Sequence, residues 1–502
     1  MRAELGIEEP TIPYAAGAVR GKAKEHQALY RNVRTRLHGL LSLMDPSPLP
    51  KNRRLHHDAF AAAVARREQV LSNEELALRY DRLNWFINEL IETSIELLPR
   101  AVRRRWKGSV AVDATAVAAF ARPSRPRHGK KSWGKGAPIE VVSADPDAGM
   151  YIRKQSNNDD DPAASKKSFW AYEATLVVAG ADDPGTASVF PTLVMGMAPL
   201  HQPGREPGVN AVRALRSMSE RGHPPGWLAG DRAYTDAKAE HFALPARALG
   251  YKPVLDYAED HLGVQGSQEG FVFVEGALYC PAIPAVLTSA TMDFRKKTID
   301  EATYQARLAE RWRYAALPKA GVDDEGFQRW RCPSSNPHPV AACVLKPASQ
   351  HHDGRVRLAV HPSQSLITTT PRCCKQGSVT IGPAPLAKLR QDLLFQSPEW
   401  AARYHALRST IEGMNGYLKD GAREALDDPE RRRIHGVAAQ SLFVALLVFA
   451  ANVRKIQEFM KNSTVGDRSR RRLPRRRSGQ PLAAWQPGSV VEVDHPDPPG
   501  ST

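Results

Sequence analysis

Three apolar runs in the first half of the chain constrain its fold more than any other feature. Each is bounded by Gly, Pro or Asp, as strands are, and they read SVAVDATAVAAF (109–120), YEATLVVAG (172–180) and PTLVMGMAP (191–199). The segments that follow predict a helix at about Gly208 to Arg221, a strand in GWLAGDRAY, a helix in DAKAEHFALPARALG and a strand in YKPVLDY. Three strands followed by helix, strand, helix and strand are typical of a mixed α/β fold.

The first hundred residues are predicted to be helical. The clearest helix lies in LSNEELALRYDRLNWFINELIETSIELLP, where Ser72 and Glu75 form a capping box and Pro99 ends the pattern. Its apolar positions make one buried stripe. The basic segment RAVRRRW follows directly. Helices with such basic segments could bind DNA or could pack as a cap with solvated arginines, and the sequence leaves both readings open.

Changes in composition divide the rest of the chain. Residues 258–395 hold all five cysteines, many prolines, short β-like runs such as GFVFVEGALYCP and one charged helix, and they read as an inserted domain. Two strong helices follow at about 398–420 and 430–458, and the proline-containing RSRRRLPRRRSG marks a disordered basic tail. The predicted layout is 1–107 helical, 108–257 first part of the core, 258–395 insertion, 396–458 end of the core and 459–502 tail.

The charge of the chain points to a polyanionic partner. Seventy Lys and Arg residues against 54 Asp and Glu residues give a net charge of +16, which favours nucleic acid, with an anionic membrane surface as the alternative. The N-terminus lacks the pattern of a signal peptide. The apolar run 437–453 is interrupted by Gln440, Ser441 and Asn452, so a buried core helix is expected rather than a membrane span. With five cysteines in a long chain, we expect a reduced, cytoplasmic protein.

Three acidic residues stand out as candidates for catalysis. Asp113 lies inside the strand VAVDATA, where an acid is costly unless it has a partner. Asp231 ends the strand WLAGD, a position where Asp is also common as a turn or helix cap. Glu412 lies in the helical segment RSTIEGMNGYLKDG, between Arg408 and Lys419. Together they match phosphodiester chemistry, in which carboxylates on rigid elements hold two divalent ions, Mg²⁺ or Mn²⁺.

The order of these motifs resembles the DDE transposases of bacterial insertion sequences, which have an RNase H-like core. In that family the first Asp lies on the first core strand, as in VAVDAT, and the second follows the fourth strand, as in LAGDRAY. The Glu lies on a helix after a variable insertion, which is β-rich in one branch. The resemblance covers about 108–255 and 396–458 and implies catalytic and metal-binding roles for Asp113, Asp231 and Glu412.

The same branch carries a Tyr-Arg-Glu-Lys signature, and this chain matches its last three members as Arg408, Glu412 and Lys419. At ~100° per residue these three share one helix face, where the cations would hold DNA phosphates beside the carboxylate. His405 stands where the signature has Tyr, so it either makes that DNA contact or the contact is missing. Tyr404, one residue earlier, is expected to pack against a neighbouring element.

Two glycines interrupt this helix at a cost of roughly 1 kcal/mol each relative to alanine. Gly416 is expected to lie on the face of Glu412, where a missing side chain lets a DNA backbone come close. Gly413 points elsewhere and is expected to permit tight packing against the sheet.

The leading hypothesis is therefore a transposase that cleaves the ends of its own element and joins them to target DNA. The resemblance implies double-stranded DNA as partner, a homodimer in the synaptic complex and a nucleoid-associated bacterial location. A nuclease without strand transfer and a decayed or domesticated DNA-binding protein remain alternatives. Zinc bound by the cysteines of the insertion is not expected, because no Cys-x-x-Cys pair is present.

Overall fold

The computed structural model describes residues 16–126, 139–152, 168–186, 188–335, 338–351 and 354–464, with side chains from residue 27 to 462 within those ranges. The basic RHGKKSWGKG, the acidic NNDDDP and the predicted tail beyond residue 464 lie outside them. The chain divides into two units, Met1–Gln457 and Glu458–Thr502, and everything below concerns the first. The predicted domain boundaries inside that unit stay predictions.

Helices dominate the N-terminal region, as the sequence predicts. In chain order the elements are α1 (Ala16–Met44), β1 (Leu55–His56), α2 (His57–Val70), α3 (Asn73–Ile95) and α4 (Arg100–Arg103). Ser72 caps α3, since its hydroxyl accepts the backbone N–H of Glu75 at 3.2 Å. Leu83, Ile87 and Ile91 are fully buried, which confirms the apolar stripe of this helix.

The largest sheet carries the three apolar runs. The elements of this region are β2 (Val110–Ala118), β3 (Arg125–Pro126), β4 (Ile139–Val142), β5 (Gly149–Ile152), β6 (Ser168–Ala179), β7 (Val194–Met197), α5 (Pro207–Glu220), β8 (Trp227–Gly230), α6 (Arg232–Asp236), α7 (Ala243–Ala248) and β9 (Lys252–Leu255). The strand order is β5-β6-β2-β8-β9, with β7 also paired to β6. Strand β2 is antiparallel to β6 and parallel to β8, and β8 is parallel to β9, so the predicted mixed α/β class is confirmed.

The single helix predicted in DAKAEHFALPARALG is wrong. Helix α6 ends at Asp236, a short 3₁₀ turn covers Ala239–His241, and α7 begins at Ala243. Phe242 interrupts the segment with a non-helical φ of −144°. Its buried ring packs 5.0 Å from the ring of Tyr234, so burial of this aromatic side chain overrides the local helical preference.

Residues 264–381 form small sheets around a core of their own. The elements are β10 (Val264–Gln268), β11 (Phe271–Val274), β12 (Ala277–Tyr279), α8 (Ala285–Thr288), α9 (Ala290–Arg295), α10 (Glu301–Trp312), β13 (Leu317–Val322), β14 (Gln328–Arg331), β15 (Ala341–Cys343), β16 (Leu358–Val360), α11 (Gln364–Thr368), α12 (Arg372–Lys375) and β17 (Val379–Ile381). The sheets have the orders β10-β11-β12, β13-β14-β17 and β15-β16. All five cysteines lie in the hydrophobic core that these strands enclose.

Two long helices follow, α13 (Pro398–Lys419) and α14 (Val437–Thr464), and the part of α14 up to Gln457 belongs to the first unit. The prediction for α13 is confirmed, and the helix packs against β2, β6, β8 and β9. The predicted start of the last helix near residue 430 is wrong. Pro429–Arg431 forms only a 3₁₀ turn, and Gly436 has a φ of +94° immediately before α14 begins.

Helix α14 is long and apolar enough to cross a membrane by length and composition, and 56% of its apolar window is buried in the protein. The polar residues that interrupt it make specific hydrogen bonds within the fold. The hydroxyl of Ser441 accepts the N–H of Leu200 at 2.9 Å, and the Asn452 side chain bonds both backbone groups of Val194. These contacts account for polar side chains inside an apolar helix.

Candidate functional site

Asp113 lies near the middle of β2, the strand at the centre of the largest sheet. Its side chain is 17% exposed. Burial raises the pKa of this carboxyl to about 6, the nearby Arg408 guanidinium opposes the rise, and the charges of Asp231 and Glu412 add to it. All three predicted acids therefore lie within electrostatic reach of one another, although the sequence separates them widely.

Asp231 follows β8 and is the N-cap of α6. One carboxylate oxygen, Oδ1, accepts the backbone N–H of Ala233 at 3.0 Å. Burial raises the pKa of Asp231, and the Arg408 guanidinium opposes that rise. Asp231 therefore caps a helix, as an Asp at a strand end commonly does, and the cap uses its Oδ1 atom. The same carboxylate also interacts with Arg408.

Glu412 lies on α13 and is connected to Asp113 by Arg408, which contacts both carboxylates. The Nη2 atom of Arg408 lies 3.1 Å from Oε1 of Glu412, and its Nη1 atom lies 3.7 Å from Oδ1 of Asp113. The carboxylate of Glu412 is 61% exposed, whereas Arg408 is only 16% exposed. One guanidinium therefore joins an exposed acid on a helix to a buried acid on the central strand.

Asn415 is a site residue that the sequence analysis missed. Its Nδ2 donates to Oδ2 of Asp113 at 3.0 Å, and its Oδ1 is buried without a hydrogen-bond partner among the described residues. Asn415 lies two helical turns after Arg408, so the two side chains share one face of α13. The helical spacing of Asn415 from Arg408 is visible in the sequence, but an amide on a helix is too common to indicate a site by itself.

The other residues predicted around the signature lie on or beside this helix face. Tyr404 stacks on Trp400 of the same helix and packs against a buried cluster that includes Val254 of β9, which confirms that it contacts a neighbouring element. Burial raises its pKa to about 12. His405 is exposed beside Tyr404, with ring centroids 5.5 Å apart. Lys419 is half-buried at the far end of α13, where it lines a groove of about 720 Å³ together with Ala116, Ala118, Trp170 and other residues.

Of the two expectations for the glycines of α13, the structure contradicts the one for Gly413. An added Cβ would meet nothing within 4 Å at either Gly413 or Gly416, and both residues are exposed. The expectation that Gly413 permits tight packing against the sheet is wrong, because its side of the helix faces away from other protein atoms. The space beside Gly416 is open, as expected for a surface that admits a ligand.

The donor atoms at this site are those that hard divalent cations prefer. Carboxylate oxygens of Asp113, Asp231 and Glu412 are accompanied by the unpartnered Oδ1 of Asn415. In the described part of the chain, no three His, Cys, Asp or Glu side chains lie close enough together to hold one metal ion. The Arg408 guanidinium supplies positive charge between Asp113 and Glu412 instead.

No protein-family model, no curated protein and no solved structure matches the chain.

Proposed function

We propose that the chain is a DDE transposase that cuts the ends of a DNA element and joins them to target DNA with Mg²⁺ or Mn²⁺. The observation that carries the proposal is the environment of Asp113. A buried acid on the central strand is contacted by Arg408 and Asn415 of the helix that bears Glu412, and its pKa responds to both other acids. Phosphoryl transfer by two metal ions requires such a meeting of carboxylates on rigid elements.

The order of strands in the largest sheet supports an RNase H-like core. Antiparallel β6 and β7 lie on one side of β2, and parallel β8 and β9 lie on the other. In the family that the sequence resembles, the first acid lies on the first strand of such a core and the second follows the fourth. Asp113 on β2 and Asp231 after β8 correspond to those positions.

The acidic and basic residues of the site would have different roles. Asp113, Asp231 and Glu412 would hold the metal ions, which when bound activate the attacking oxygen and stabilise charge on the leaving one. A bound metal ion would compete with Arg408 for these carboxylates, because the guanidinium contacts Oε1 of Glu412 and Oδ1 of Asp113. A displaced guanidinium would suit a phosphate oxygen of DNA, with His405 before it and Lys419 after it on the same helix as additional DNA contacts.

Changing Glu412 tests the proposal with little risk to folding, because its side chain is 61% exposed. Duplexes carrying the sequences that flank the gene are incubated with purified protein and Mg²⁺. We expect Glu412→Gln to bind these duplexes as the wild type does but to cut them at least a hundredfold more slowly. Glu399→Gln is the matched control, since Glu399 is 63% exposed at the opposite end of α13.

Equal cutting by the wild type and Glu412→Gln would contradict the site assignment. Cutting without joining to a second duplex would favour a nuclease, and binding without cutting by the wild type would favour a DNA-binding protein that has lost catalysis. A transposase that pairs two element ends would act as a homodimer, so the sedimentation of the protein with two end duplexes belongs to the same experiment.

A further inference from the structure

The five cysteines converge in the core of the small sheets although the sequence scatters them. Cys280 follows β12, Cys332 follows β14, Cys343 ends β15, and Cys373 and Cys374 lie in α12. All five are buried, free thiols. Their mutual electrostatic effects link Cys280, Cys332, Cys343 and Cys374, so the ends of four separate elements bring sulphur atoms together.

Three of these cysteines begin turns with the same hydrogen-bond pattern. The carbonyls of Cys280, Cys332 and Cys343 accept the N–H of the third following residue at 3.0, 2.9 and 2.9 Å. In each turn the N–H of the second following residue, Ala282, Ser334 or Leu345, donates to the cysteine sulphur. Backbone N–H donors stabilise the thiolate form, which is the form that binds metals. Three such turns in one core are more than packing of apolar thiols requires.

Either of the adjacent residues Cys373 and Cys374 could join Cys280, Cys332 and Cys343 as the fourth member of the cluster, and their contacts distinguish them. Cys373 lies against the β10–β11 turn, because a Cβ added to Gly270 would be 3.2 Å from its Sγ. Cys374 instead interacts electrostatically with Cys280, Cys332 and Cys343, and the Cys373 thiol, 4.0 Å away, lowers its pKa by a hydrogen bond. Cys374 therefore interacts with all three of the other cysteines, whereas Cys373 interacts with Cys332 and packs against the β10–β11 turn.

The four thiols differ in their electrostatic surroundings. The hydrogen bond to Cys332 and burial raise the pKa of Cys280, and burial raises the pKa of Cys343. The pKa values of Cys332 and Cys374 are lowered instead. The hydrogen bond from the Cys280 thiol, assisted by the Ser334 N–H, lowers the pKa of Cys332 to about 7. The Lys346 ammonium further lowers the pKa of Cys332 and Cys374. Lys346 belongs to the third turn, where its own N–H bonds the Cys343 carbonyl. A positive charge is thus fixed beside the sulphur atoms.

We propose that Cys280, Cys332, Cys343 and Cys374 form a structural site for one zinc ion. Four thiolates satisfy tetrahedral zinc completely, and binding releases the four thiol protons to solvent. No three His, Cys, Asp or Glu side chains of the described residues already lie at ligand positions around one point, so the thiols must rotate inward when the ion binds. The site would join β12, β14, β15 and α12, whose strands belong to three different small sheets.

Zinc content of the full chain tests this assignment without any reference to DNA cleavage. The protein is purified without chelators and its zinc is measured by mass spectrometry, for the wild type, Cys374→Ser and Cys373→Ser. We expect about one zinc ion per chain in the wild type and in Cys373→Ser, and at least a fivefold loss in Cys374→Ser. Wild-type protein without zinc, or loss of zinc from Cys373→Ser alone, would overturn the proposal.

A second measurement guards against variants that fail to fold. Cobalt(II) is added to wild-type chain from which the metal has been removed by a chelator, and the absorption spectrum is recorded. Sulphur-to-cobalt charge transfer together with the visible bands of tetrahedral cobalt supports a four-thiolate site. A spectrum of octahedral aqueous cobalt would contradict the four-thiolate site. In that case all five thiols would also react with an alkylating agent when the chain is unfolded in the presence of the metal.

Discussion

At the scale of single residues, the buried carboxylate of Asp113 lowers the stability of the fold at neutral pH. Its raised pKa of about 6 arises mainly from burial, which the guanidinium of Arg408 only partly offsets. The native state therefore holds a proton more tightly than the unfolded chain, in which an Asp titrates near its ordinary value. Because of this difference, stability falls as the pH rises from about 4 to about 6.

Replacing this residue by asparagine should stabilise the metal-free protein at neutral pH. We expect Asp113→Asn to raise the free energy of unfolding by about 3 kcal/mol at pH 7.5, with the gain vanishing below pH 4. Arg408 keeps Glu412 as its partner in this variant. Thermal unfolding in EDTA across this pH range is the measurement, with Glu399→Gln as the control. A variant that is less stable than the wild type at every pH would contradict the explanation.

At the scale of elements, α13 carries most of the candidate site on one face. Tyr404, Arg408, Glu412, Asn415 and Lys419 follow one another at helical spacing, and the side chain of Asn415 reaches β2. The helix also contains two exposed glycines with open space around them. Neither glycine is needed for packing, so their cost in helix stability requires a different explanation.

The two glycines give a matched pair of variants on this helix. Gly413→Ala and Gly416→Ala should each stabilise the protein by up to about 1 kcal/mol, because alanine is the better helix former and meets no neighbour. Gly416 lies ~40° from Glu412 around the helix and Gly413 lies ~100° away. We therefore expect only Gly416→Ala to weaken DNA binding, as measured by fluorescence anisotropy. Equal DNA affinity for both variants would contradict a close approach of DNA at Gly416.

At the scale of the whole molecule, two buried asparagines tie the helices to the edge of the largest sheet. Asn88 of α3 bonds both the N–H and the carbonyl of Met197, and Asn452 of α14 does the same for Val194. Both targets lie in β7, which pairs with β6 on one side only. The side chains thus satisfy backbone groups at a strand edge that would otherwise be buried without partners.

Removing one of these amides should destabilise the whole fold rather than a local segment. We expect Asn452→Ala to lower the free energy of unfolding by about 2–3 kcal/mol, because the N–H and carbonyl of Val194 lose their partners. Leu446→Ala is the control, because Leu446 of α14 is 43% exposed. This substitution should lower the free energy of unfolding much less. Urea unfolding measures both variants. A similar loss for the two would mean that the hydrogen bonds contribute little.

The sequence by itself determined what depends on local pattern. The apolar runs around Asp113, the capping Ser72 and the spacing of Arg408 and Glu412 predicted strands, helices and a shared helix face, because periodicity and end signals act over a few residues. They also singled out the three acids, since an acid inside a strand and an acid between two cations are unusual positions.

Tertiary structure decided what depends on contacts between distant residues. It gave Asn415 a role beside Asp113, turned Gly413 to solvent, broke the helix at Phe242 and gathered cysteines that no local motif connects. Each of these outcomes is fixed by packing, because burial of side chains from distant segments outweighs the small preferences of any single segment. Local chemistry thus identified the candidate acids, and only the packed sheet and helix could bring them together.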